Sequence, residues 1–201
     1  MQIIDADESR MIDLPGVGPC PRPVDIDQRQ TGFSRLKSLR IYRFQPGPSI
    51  HGESEGDEVF IVPLGGAFEM TITGAHPFHG RLSAEGPGRA LYMTPDHAYR
   101  LAPLGPVTVA YARAEAAGRV RVQPVGGQSV GLAERLRFRR VSPKSGSVLE
   151  VGGEEMLIHI VSGAVGHAGT RVVGGQTLAL RPDETALLHV NETTDLLIVS
   201  A

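Results

Sequence analysis

The chain has no tryptophan, a single cysteine and few aromatic residues, 5% in all. Cys20 alone cannot close an intramolecular disulfide, as expected of a protein kept in a reducing cytoplasm. No stretch approaches the roughly 18 apolar residues that a membrane-crossing helix needs. Residues 1–20 carry Asp5, Asp7, Glu8 and Asp13 and lack the apolar run of a secretory leader. Charge of one sign is not in excess either. The 20 Lys and Arg stand against 22 Asp and Glu, for a net charge of −2. That is too little positive charge to track a phosphate backbone. The expected partner is therefore a small molecule, with no nucleic acid and no membrane.

Glycine and proline are abundant. The 25 Gly and 15 Pro are spread along the chain, between short apolar runs, and 41% of residues are hydrophobic. Evenly spaced turn residues between short β-prone runs predict an all-β protein. LRIYRF (39–44), EVFIVPLGG (58–66), AFEMTIT (67–73), RALYMTP (89–95), HAYRLAP (97–103) and PVTVAYARA (106–114) read as successive strands. Residues 1–28, with PGVGPCPRP at 15–23, read as an arm or lead-in strand. Residues 116–135 break the rhythm and read as a connector, partly helix-compatible near its end. The strand pattern then returns from 136 to 201.

The return is a repeat. Shifted by 97 residues, LRIYRFQPGPSIHGESEGDEVFIVPLGG (39–66) lies without a gap on LRFRRVSPKSGSVLEVGGEEMLIHIVSG (136–163), identical at 9 of 28 positions. The identities include Glu53/Glu150, Gly56/Gly153, Glu58/Glu155 and Gly66/Gly163. TPDHAYRL (94–101) matches RPDETALL (181–188) at a shift of 87. The expected architecture is two tandem β-barrel units, 29–115 and 136–201.

Chemistry concentrates in the first copy, in HGESEGDE (51–58). His51 and Glu53 are two apart, so one strand presents both on one face. Glu58 opens the next strand and can fold back beside them. His97 starts a later strand, after the turn TPD (94–96). Two imidazoles and two carboxylates converging in a barrel suit a divalent first-row metal, Mn, Fe, Ni or Zn. Such a metal would polarise a bidentate small molecule as a Lewis acid. Isomerisation would also need a proton carrier, for which Glu53, Glu55 and Tyr99 are candidates. Tyr42, Phe60, Tyr92 and Arg100 lie on neighbouring strands and are candidate substrate-binding residues; core packing is the alternative for each aromatic. His76 and His79 read as hairpin-loop residues, and His159, His167 and His189 as structural ones. In the second copy, Val148 and Glu184 stand where His51 and His97 stand in the first. That copy reads as scaffold.

HxE(x)4E(x)6G, from His51 through Glu53 and Glu58 to Gly65, resembles the first cupin motif, with Glu53 in place of its second histidine. GRALYMTPDH (88–97) is similar to the second motif at Pro95 and His97. The resemblance implies two tandem cupin (jelly-roll) barrels, a bicupin, with His51, Glu53, Glu58 and His97 as metal ligands and with the dimerisation through edge strands common among cupins. Segments 31–47, 58–72, 89–103 and 107–119 resemble the amino-terminal half of the 5-deoxyglucuronate isomerase family, kin to the 5-keto-4-deoxyuronate isomerases. Those isomerases keep their metal site in the other half, whose His-rich motif has no counterpart here. Two functions stay open at this point. One is a metal-dependent enzyme, isomerase-like or dioxygenase-like, acting on a small polar carbonyl or sugar acid. The other is a non-catalytic ligand-binding or structural bicupin.

Overall fold

The short runs between Gly and Pro become strands almost throughout. The computed structural model describes residues 1–85, 90–116, 122–125 and 135–201. The lead-in segment forms β1 (Gln2–Ile4), the hairpin of β2 (Met11–Leu14) and β3 (Gly18–Pro21), then β4 (Val24–Asp27). A single helical turn, α1 (Gln28–Thr31), follows; the Asp27 side chain caps it by accepting from the Arg29 N–H. The first unit is β5 (Leu36–Phe44), β6 (Ile50–Glu53), β7 (Asp57–Gly65), β8 (Ala67–Thr73), β9 (Phe78–Ser83), β10 (Ala90–Met93), β11 (Ala98–Pro103) and β12 (Val107–Glu115). β13 (Val122–Val125) precedes the second unit. That unit is β14 (Arg137–Val141), β15 (Val148–Gly152), β16 (Met156–Ser162), β17 (Ala164–His167), β18 (Thr170–Val173), β19 (Thr177–Leu180), β20 (Thr185–Val190) and β21 (Asp195–Ser200).

The repeat in sequence is a repeat in topology. In the first unit the strand orders are β10-β7-β12-β5 and β6-β11-β8-β9. In the second they are β19-β16-β21-β14 and β15-β20-β17-β18, the same arrangement strand for strand. Gly66 and Gly163 show why identities survive at corners. Both have positive φ, at +73° and +81°, and a Cβ would lie 2.4 Å from the Pro106 carbonyl oxygen or 2.6 Å from that of Thr193.

β7 is buried on both faces, and its parity separates two cores. Val59 and Ile61 face the interior of the first unit with Phe68, Met70, Leu91, Leu101, Val107 and Val109. Phe60, Val62 and Leu64 face the second unit, packing with Phe138, Leu157, Leu197 and Val199. On β12 the residues turned toward the second unit are Ala110, Ala112 and Ala114, small enough for the sheets to pack closely. A third core, with Ile158, Ile160, Val165, Leu178, Leu188 and Leu196, fills the second unit.

The units clasp each other reciprocally. β1 pairs with β19 of the second unit, and β13 pairs with β10 of the first, so each lead-in strand extends the other unit's sheet. The Glu155 carboxylate accepts from the backbone N–H groups of Ser34, Arg35 and Leu36 and from the Ser34 hydroxyl, at 2.6–2.8 Å. Its repeat mate Glu58 accepts from the N–H groups of Leu136 and Arg135, at 2.8 and 3.3 Å. The segment read as an arm or lead-in strand is tied down at several points: β1 joins the second sheet, β4 pairs with β5, and the β2–β3 hairpin packs Ile12, Leu14, Val17 and Cys20 on the first core. The expected connector contributes β13; its helix-compatible part lies outside the described residues.

Candidate functional site

His51 and Glu53 do share one face of β6, but it is the outer one. Ile50, on the same face as Gly52, is the buried residue, while His51 and Glu53 are exposed. Gly52 turns inward and is closed over by Tyr99: a Cβ there would lie 2.4 Å from the Tyr99 hydroxyl oxygen. Glu58 points from the opposite face of β7 and is engaged with the start of the second unit. His97 is buried and locked. Its Nδ1 lies 3.1 and 2.8 Å from the Thr94 and Pro95 carbonyl oxygens, and its Nε2 accepts from the His76 N–H at 3.3 Å. That geometry assigns the proton to Nδ1 and occupies the Nε2 lone pair a metal would need. Among the described residues, no three His, Cys, Asp or Glu side chains group as a metal site requires. The four predicted ligands, as placed, do not fit a first-row metal ion.

The other predicted residues divide. Glu55 is exposed at a positive φ of 52° and pairs with Arg113 at 2.8 Å. Arg100 is exposed beside His51 in the β6–β11 register and donates to the Ser49 hydroxyl. Phe60 and Tyr92 meet at 5.1 Å in the core between the units, with Phe138 4.7 Å from Phe60. They face away from the first unit's interior. Tyr42 and Tyr99 do reach that interior. With Tyr111, missed in the sequence, they form a phenol cluster: Tyr42 meets Tyr111 edge-on at 5.3 Å, and Tyr111 stacks on Tyr99 at 5.9 Å.

Arginines surround this cluster. The Arg22 guanidinium lies over the Tyr42 ring, 5.7 Å from its centroid, and donates to the Tyr42 hydroxyl. Arg10, Arg22 and Arg40 converge on one carboxylate, Asp25, at 2.7, 2.8 and 3.2 Å. Arg113 and Lys37 share Asp57, at 2.9 and 2.5 Å. Cations outnumber carboxylates here. Among the described residues, Arg22 Nε beside Tyr42 is a buried donor with no hydrogen-bond partner, and the buried Tyr111 hydroxyl has only the Tyr99 hydroxyl beside it. Burial pushes the Tyr99 phenol up to about 12, and Tyr111 is also driven well above the usual range by burial and by Tyr99. Both therefore stay protonated donors at neutral pH. The legible signal was the strand parity of Arg40 with Tyr42 and of Tyr111 with Arg113; the lead-in's Arg22 carried none.

Fold and parity together define a two-unit cupin. The chain superposes on bacterial pirin YhhW from Escherichia coli, solved in complex with nickel(II), with a TM-score of 0.72 and 12% identity, covering 99% of this chain and 98% of that one. For the protein Ylba from E. coli the TM-score is 0.79, with 12% identity over 99% and 90%. For an IolB-like protein from Salmonella typhimurium LT2 it is 0.71, with 12% identity over 99% and 92%. The chain belongs to the KduI/IolB family, whose family model matches residues 22–135. No curated protein matches it in sequence.

Proposed function

We propose that the protein binds a small, oxygen-rich anion of the sugar-acid type at the tyrosine–arginine end of the first barrel. Membership of the KduI/IolB family supports a polar carbonyl or sugar-acid ligand. The observation that carries the reading is Arg22 Nε, a buried donor with no hydrogen-bond partner among the described residues, set beside the phenols of Tyr42, Tyr99 and Tyr111. Leaving such a donor unmet costs about 1–3 kcal/mol. A carboxylate would satisfy that donor, and a neighbouring carbonyl or hydroxyl oxygen would accept from the phenols. Arg22 would hold the carboxylate. Tyr111 and Tyr99, held protonated, would donate to a carbonyl oxygen and polarise it. The predicted proton carriers Glu53 and Glu55 are exposed and outside this interior. The geometry therefore supports binding and carbonyl polarisation, while the neighbouring carboxylates Asp25 and Asp57 are engaged in ion pairs.

The test is calorimetric titration with galacturonate and glucuronate. The parent protein is expected to bind one equivalent. Tyr111→Phe is expected to bind about tenfold more weakly, as the loss of one hydrogen bond of about 1.4 kcal/mol predicts. Unchanged affinity in both Tyr111→Phe and Arg22→Leu would overturn the reading.

A further inference from the structure

A cavity of about 380 Å³ lies between the two units, and the phenol cluster does not line it. Its size is at the small end of ligand cavities. One wall is β5 of the first unit, with Ile41 and Arg43; the opposite one is β16 of the second, with His159; the lead-in segment crosses it with Glu8. His159 is 5% exposed. Its Nδ1 is 3.0 Å from the Thr177 hydroxyl, and no described residue partners Nε2, the ring nitrogen left to the cavity. Burial lowers the imidazole to about 4, partly offset by Asp195, so it is neutral at physiological pH. The Arg43 guanidinium is gripped by both oxygens of Glu8, in the fork geometry that recognises carboxylates. Glu8 is exposed and belongs to the stretch between β1 and β2.

We infer that this cavity is a ligand site for a short 2-oxo or 2-hydroxy acid. Its carboxylate takes the Arg43 fork in place of Glu8, and its adjacent oxygen reaches His159 Nε2. Glu8 is then an internal carboxylate that holds the site closed when empty. A ligand must compete with it, so its apparent affinity is the intrinsic one multiplied by the fraction of time the fork is free of Glu8. The site needs both units, since Arg43 and His159 come from different ones.

The full-length protein, with its imidazoles labelled with ¹⁵N, is titrated with 2-oxobutyrate, and with 2-butanone as the probe lacking a carboxylate. His159→Gln, which keeps a partner for Thr177, identifies the resonance. The expected result is a saturable shift at His159 with 2-oxobutyrate and none with 2-butanone. Glu8→Gln, a surface change, tightens binding about tenfold, and Arg43→Leu abolishes it. Tyr111→Phe leaves it unchanged, which separates this site from the first barrel's interior. An unmoved His159 in both the parent and Glu8→Gln, an equal shift with 2-butanone, or no tightening in Glu8→Gln would overturn the inference.

Discussion

At the scale of single residues, the cupin-like string HGESEGDE carries less metal chemistry than packing. Its glycine matters most: Gly52 leaves the space that the Tyr99 ring fills, with ring atoms 2.5 and 2.9 Å from where a Cβ would be. Gly52→Ala is expected to destabilise the protein by about 2 kcal/mol, as overpacking does. Pairing it with Tyr99→Leu should recover most of that loss in denaturant melts, as a double-mutant cycle reads. The spacing of His51 and Glu53 correctly gives a shared face, since strand parity is local. Which face looks inward was not legible, because it depends on β11 lying across β6. Phe60 and Tyr92 show the same limit. Both faces of β7 and β10 are apolar, so alternation could not say which residues line the interior and which meet the other unit.

At the scale of elements, the identities Glu58/Glu155 and Gly66/Gly163 have a physical account. Each glutamate satisfies backbone N–H groups where the other unit's first strand begins, and each glycine makes the same corner. Burial alone would raise Glu155, but the N–H groups of Ser34, Leu36 and Arg35 and the Ser34 hydroxyl outweigh it and hold the carboxyl below its ordinary value. Glu155→Ala strands the N–H groups of Ser34, Arg35 and Leu36, the last of them buried, and should cost about 3 kcal/mol. Hydrogen exchange is expected to rise first at Arg35 and Leu36, with the β20 amides protected as before. Equal loss of protection everywhere would contradict a local clasp. The repeat made the duplicated strands legible. It could not reveal the exchange of β1 and β13 between sheets, because edge pairing is decided by which unit's edge lies near, not by local pattern.

At the scale of the whole molecule, the units share a core and a buried imidazole, so acid should unfold them together. His159 titrates near 4 when folded against 6.5 when unfolded. Its neutral form is favoured by folding, so this contribution is full above about 6.5 and is lost as pH falls toward 4. Glu155, lowered by its hydrogen bonds, loses its contribution as pH falls further, below its unfolded value. The His159 effect is about 3 kcal/mol at 1.36 kcal/mol per unit. His159→Gln should flatten stability between pH 6.5 and 4 and leave the lower limb intact, as measured by denaturant melts across that range. An unchanged slope would contradict a buried neutral His159.

The central claim is that the first barrel recognises its ligand through Tyr42, Tyr99, Tyr111 and Arg22, not through a metal held by His51, Glu53, Glu58 and His97. Calorimetric titration of the chelator-treated protein with galacturonate, alongside elemental analysis of the same sample, tests it most directly. The account predicts the same affinity before and after chelation. Binding that disappears on chelation, returns with Mn, Fe, Ni or Zn, and is absent from His51→Ala and His97→Ala would contradict it.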